Sequence, residues 1–201
     1  MVAQAINRAA RAVPTWPVYA LGLLPGLWFW WLGLTGGLGA EPIKALEQEL
    51  GKLALQFLIA CLAVTPLRRF AGVNLLRFRR ALGLVSFFYV LQHLSVWLLL
   101  DIGDPARIWA DIVKRPYITI GMAGFAMLLP LALTSTDGAV RRMGGAAWRR
   151  LHRLSYPALI AGAAHYLILV KGWPAEPIVY AAIVAGVLGL RVMPRRRAAV
   201  A

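Results

Sequence analysis

Acidic residues are scarce in this chain. Eight aspartates and glutamates stand against 22 lysines and arginines, and charged residues of both signs make up only 15% of 201 positions; an average soluble domain carries about 25%. A single cysteine, Cys61, excludes an internal disulfide and any multi-cysteine metal site, and inside an apolar run it reads as a small packing residue. No segment alternates in the manner of a strand, so a barrel is excluded. No GxGxxG follows a strand, and there is no soluble flavin or nicotinamide domain, so the chain does not draw on NADPH by itself. No Asp, Glu or Lys stands deep in an apolar run, which argues against a proton-coupled transporter.

What is abundant is apolar surface. Hydrophobic residues make up 60% of the chain and mean hydropathy is +0.67. A soluble fold of this size has no use for so much, whereas a membrane fold must be apolar on its lipid side as well. A spanning helix takes about 20 mostly apolar residues, and six segments qualify: 18–34, 53–67, 81–100, 117–133, 151–170 and 178–193. The stretch 41–50, EPIKALEQEL, reads as an amphipathic interfacial helix. The first segment follows Arg8 and Arg11 as a signal peptide would, but its length and its tryptophans mark a retained span.

The net charge of +14 would suggest nucleic acid in a soluble chain. Its placement gives another reason. Sixteen of the 22 basic residues fall in the first tail, the loops after spans two and four, and the last tail. Seven of the eight acids fall in the other loops, Asp137 being the exception. Lys/Arg excess marks the cytoplasmic side, so six spans with both termini cytoplasmic satisfy every loop. Trp16, Tyr19, Trp28 to Trp31, Trp97, Tyr117, Trp148 and Trp173 sit near span ends, as interfacial aromatic belts do. Gly22 with Gly26, and Gly33 with Gly37, have small-xxx-small spacing, a helix-contact signal.

Three histidines remain as candidates for chemistry. From the cytoplasmic edge of its span, His93 lies about 18 Å in and His165 about 21 Å at roughly 1.5 Å per residue. Their spans run the same way, so the two imidazoles reach one level in the outer half of the bundle. Two neutral imidazoles at one depth suit both axial positions of a haem iron; the plainer alternative is that each bonds a neighbouring carbonyl. His152, in RRLHRL, lies 13 residues before His165, nearly 20 Å away, where an interfacial role and a second cofactor both remain open. The position opposite it on span three is Arg80, a poor iron ligand but a good partner for a propionate or phosphate.

The segments RFRRALGLVSFFYVLQHLSVWLLLD, KRPYITIG, LTSTDGAVRRMGGAAWRRLHRLSYPALIAGAAHYLILVK and LTGGLGAEPIKALEQELGKLALQFLIACLAVTPLRR resemble the MsrQ (YedZ) family. This is the haem-binding membrane subunit of the bacterial methionine sulfoxide reductase system, within the ferric reductase-like transmembrane superfamily. The resemblance runs from about Pro17 to Met193. It implies haem b held by His93, His165 and His152 as metal-binding residues, with FMN assigned to the family and no residues marked for it. It further implies electrons from the quinone pool or a cytosolic flavin reductase, passed to a periplasmic molybdopterin enzyme where the sulfoxide is reduced. In the wider superfamily two histidines stand on each ligand helix; Arg80 at the inner position of span three departs from that pattern.

These readings together specify an all-α membrane protein of the bacterial inner membrane. It has a six-helix haem-binding domain over 18–193, a cytoplasmic tail over 1–17 and another over 194–201. The alternatives are a cytochrome b reductase with a different acceptor, such as a ferric reductase, or a cofactor-free permease or scaffold.

Overall fold

The structure, a computed structural model, describes residues 2–170, 172 and 174–193, and these are helical with no strand. The α-helices are α1 (Val2–Ala12), α2 (Trp16–Thr35), α3 (Pro42–Phe70), α4 (Arg79–Ser95), α5 (Pro105–Lys114), α6 (Pro116–Leu133), α7 (Asp137–Met143), α8 (Gly145–Leu151), α9 (Ser155–Leu169) and α10 (Ala175–Val192). Single 3₁₀ turns, Leu76–Phe78 and His152–Leu154, lead into α4 and α9, and α4 continues outward as a π-helical stretch, Val96–Ile102.

Five helices are long and apolar enough to cross a membrane: α2, α3, the run Leu76–Ile102, α6 and α10. The chain is therefore a multi-pass membrane protein. The segment predicted over 151–170 is also helical, but its regular part, α9, has 15 residues. Ser155 follows a tight 3₁₀ turn rather than continuing the helix from α8. Leu21, Leu24, Leu27 and Leu34 of α2 are more than half exposed, as a lipid-facing surface is.

The interfacial helix predicted over 41–50 and the span predicted over 53–67 are one continuous helix of 29 residues. Leu46, Leu50 and Leu53 fall at i, i+4 and i+7, and all three are buried, so one packed face runs through Gly51 and Lys52 without a break. Lys52 is held by Glu49 at 2.6 Å and by Glu176 of α10 at 3.4 Å. α3 is the central helix, in contact with α2, α4, α9 and α10. Leu62 of α3 and Leu159 of α9 are fully buried in one cluster, and Leu50 and Tyr89 in a second. In lipid such contacts hold by close packing rather than by expulsion of water.

The first 17 residues, expected as a tail, contain a helix. Residues 2–12 hold five alanines, the best helix former. The Asn7 side chain donates to the Gly72 carbonyl at 2.9 Å and accepts the Asn74 N–H at 2.7 Å, while Arg77 donates to the Ala10 and Arg11 carbonyls at 2.9 and 2.6 Å. The tail predicted over 194–201 lies outside the described residues, as do Lys171 and Trp173.

The small-xxx-small pair in α2 has a definite occupant. The buried Tyr89 hydroxyl donates to the Gly22 carbonyl at 2.6 Å and accepts the Gly26 N–H at 3.0 Å. It thus stands inside one link of the helix ladder, a recognised cause of local bending. A Cβ on Gly26 would lie 2.6 Å from a Tyr89 ring carbon, so glycine is required there.

Candidate cofactor site

α3 and α4 form one closely packed pair and α6 and α9 another. His93 stands near the end of α4 and His165 near the end of α9. Across the space between the pairs, their ring centroids are 6.1 Å apart with the planes crossed at 79°. Both rings line one cavity of about 550 Å³, inside the range of about 300–1,000 Å³ usual for small-molecule and cofactor sites.

Each imidazole is anchored through the same atom. The Nδ1–H of His93 donates to the Glu47 carbonyl of α3 at 2.9 Å, and the Nδ1–H of His165 donates to the Tyr117 carbonyl of α6 at 2.6 Å. A carbonyl oxygen only accepts, so these contacts fix the tautomer: Nδ1 carries the proton and Nε2 keeps its lone pair. Among the described residues Nε2 of neither ring has a hydrogen-bond partner. The sequence left a choice between carbonyl-bonded and metal-binding histidines. In the structure the carbonyl bond uses one nitrogen of each ring, and the other has no hydrogen-bond partner among the described residues.

The cavity is small-walled inside and polar at its mouth. Ser86, Gly121, Gly124, Ala158 and Gly162 line its deeper part, while Lys44, Asp101 and Arg115 come from the end at which α3 and α6 begin. Arg115 donates to the Tyr117 hydroxyl at 3.2 Å and pairs with Asp111 at 3.3 Å.

Three observations test whether these residues fit a haem. The donor set is two neutral imidazoles with Nε2 unengaged. The centroid spacing of 6.1 Å is close to what two metal–nitrogen bonds of about 2 Å plus two ring radii require. The chamber is mostly apolar within, as an apolar macrocycle requires, and its charged lining is of both signs, Lys44, Lys52 and Arg115 beside Glu41, Glu47 and Asp101. The residues fit.

His152 is not in this group. It does not line the cavity. Its ring stacks on Trp148 at 3.8 Å between centroids, and its Nε2 lies 3.1 Å from the Thr134 hydroxyl; Trp148 in turn donates to the Thr134 carbonyl at 2.9 Å. Arg80 forms an ion pair with Asp137 at 2.6 Å. Both stand at the opposite end of the bundle from the paired histidines. No group of three or more His, Cys, Asp or Glu side chains forms a metal cluster among the described residues.

The sequence reading missed the carbonyls of Glu47 and Tyr117, and also Gly51 and Gly121, which lie against the two rings. The only sequence signal for them was an isolated glycine inside a helical run.

Residues 49–163 match the model of the family described as ferric reductase like transmembrane component. That stretch contains His93 and His152 and ends two residues before His165. Over 174 residues, 86% of this chain, the sequence is 51% identical to the protein-methionine-sulfoxide reductase heme-binding subunit MsrQ of Brucella ovis, covering 79% of that protein. The corresponding proteins of Brucella canis and Brucella suis match to the same extent.

Proposed function

The chain belongs to the MsrQ family of ferric reductase-like membrane proteins, and we propose that it is the haem b electron-delivery subunit of a periplasmic methionine sulfoxide reductase. The observation that carries this reading is the facing pair His93 and His165, with both Nδ1 atoms anchored and both Nε2 atoms free beside one cavity. His93 and His165 would hold haem from opposite sides. Held in this way, the group would supply one-electron transfer. Lys44, Lys52 and Arg115, each paired with an acid, are the cations of the cavity lining that would meet its carboxylates.

The remaining residues set direction. The sixteen-to-six split of basic residues supports six crossings of the bacterial inner membrane with both termini in the cytoplasm, α9 being the short sixth. In that orientation the cavity mouth faces the periplasm, where the molybdopterin-containing partner reduces the sulfoxide. Electrons enter at the cytoplasmic end, beside His152 and Arg80, from the quinone pool or a cytosolic flavin reductase. FMN rests on the family resemblance alone.

The test is haem content and the dithionite-reduced spectrum of purified wild type, His93→Ala and His165→Ala. Loss of the low-spin spectrum is expected in both variants. Full low-spin haem in either one excludes the pairing, and a wild type without a Soret band excludes haem altogether.

A further inference from the structure

We infer that Gly51 and Gly121 are positioning residues for the two imidazoles: each is the missing Cβ that opens a backbone carbonyl, one helical turn earlier, to the Nδ1–H of a histidine on the neighbouring helix. The inference rests on the ligand reading above and adds the residues that aim the ligands.

The reason lies in helix geometry. A Cα–Cβ bond tilts toward the helix N-terminus, so the side chain of residue i+4 lies over the turn containing residue i. A helical carbonyl retains a lone pair beyond the one its own ladder uses, but a side chain at i+4 stands in the way of a donor from outside. Gly51 is four residues after Glu47, and Gly121 is four after Tyr117. A Cβ on Gly51 would lie 3.1 Å from His93 Nδ1 and 3.3 Å from Cε1; a Cβ on Gly121 would lie 2.9 Å from His165 Nδ1 and 3.1 Å from Cε1. The same arrangement occurs a third time without a histidine, where Gly26 follows Gly22 by four and admits the Tyr89 hydroxyl to the Gly22 carbonyl. Three ring side chains on α4 and α9 are seated in one manner, so the glycines belong to the seat and not to chance spacing.

The seat has a measurable consequence. It holds the imidazole planes at 79°, and the Nδ1–H···O=C bond raises the basicity of Nε2. Near-perpendicular axial imidazoles give low-spin ferric iron a single, strongly anisotropic low-field resonance; parallel ones give a rhombic spectrum. Pushing a ring off its carbonyl changes the crossing angle and lowers ligand basicity, which favours the ferrous state and raises the reduction potential.

The experiment compares Gly51→Ala, Gly121→Ala and the control Gly83→Ala, in full-length protein purified with its haem. Gly83 is on the His93 helix, and a Cβ there would be in ordinary contact, 3.6 Å from Cys61 Sγ. Haem stoichiometry, the low-temperature electron paramagnetic resonance spectrum and the reduction potential are measured on each. The expected result is retained haem with a shifted low-field resonance and a raised potential in both seat variants, larger for Gly121→Ala, and wild-type values for Gly83→Ala. Should Gly121→Ala fail to accumulate, Gly51→Ala, with its gentler approach, decides alone. Wild-type resonance and potential in the seat variants overturn the inference while His93→Ala and His165→Ala still lose haem, so the ligand reading stands. Low-spin haem surviving in the histidine variants removes that reading and the seat with it.

Discussion

The two ends of the bundle treat histidine differently. At the end where α3 and α6 begin, His93 and His165 each give one nitrogen to a carbonyl and turn the rest of the ring toward a cavity. At the other end His152 is packed flat on Trp148, with its Nε2 on Thr134 and arginines around it. All three side chains are partly buried, and all stand at helix ends. What separates a metal-competent imidazole from a packed one is the second nitrogen. A backbone carbonyl on Nδ1 frees Nε2, whereas a hydroxyl on Nε2 occupies the nitrogen a metal would use.

The comparison can be broken or sharpened by substitution, beginning with the largest effect. Gly26→Leu places bulk where a Cβ already lies 2.6 Å from Tyr89; the ring must leave its seat, at a cost of about 1–3 kcal/mol for overpacking alone. Thermal unfolding in detergent should show a lowered midpoint for Gly26→Leu and little change for Gly186→Leu, where a Cβ meets nothing within 4 Å. Equal losses at both positions would show that the α2 seat confers no special constraint.

Tyr89→Phe is milder. It keeps the ring and removes the hydroxyl that links the Gly22 carbonyl to the Gly26 N–H, leaving that link to re-form or stay unmet at about 1–3 kcal/mol. The midpoint should fall while the haem spectrum stays as in wild type. A changed spectrum would tie the α2 seat to the cofactor.

His152→Ala should keep full low-spin haem. It gives up the ring stack on Trp148, a loss of about 0.5–1.5 kcal/mol, read as a small fall in the midpoint. A haem content cut by half would establish a second cofactor at the inner end and end the contrast.

The smallest effect concerns acid. The Arg80 guanidinium beside Asp137 holds that carboxyl below its ordinary value of 3.8. A depressed carboxylate contributes stability above its unfolded pKa, and that contribution is lost as pH falls through the folded one. Asp137→Asn should therefore lower the midpoint slightly at neutral pH, and by progressively less as the pH falls below the carboxyl's ordinary value of 3.8. The same difference at every pH would show that the ion pair contributes nothing.

Much of the outer site was legible because it depended on spacing. The counts from span edge to His93 and His165 are short, and errors of a residue move each ring by only about 1.5 Å. The seats were not legible, because nothing near Gly51 or Gly121 in sequence indicates that a ring 46 or 48 residues beyond the carbonyl arrives there. The merger of 41–50 with 53–67 was missed for a local reason: Gly51 and Lys52 look like a break, and only the burial of Leu46, Leu50 and Leu53 on one face shows that packing overrides them. The inner end was the hardest to read. His152 and Arg80 are suitable residue types, but their partners Trp148 and Asp137 come from the short helices α7 and α8, which interrupt any count along a span.

The length of α3 bears on how far an electron must travel. At 29 residues it measures about 44 Å, against a hydrocarbon layer of about 30 Å. That mismatch is absorbed by tilt or by projection. Any projection on the Glu41 side carries Lys44 and the mouth of the histidine cavity out of the oil and among the headgroups. On the proposed function, a thicker membrane would draw the port inward and lengthen the gap to a periplasmic acceptor, and a thinner one would present it.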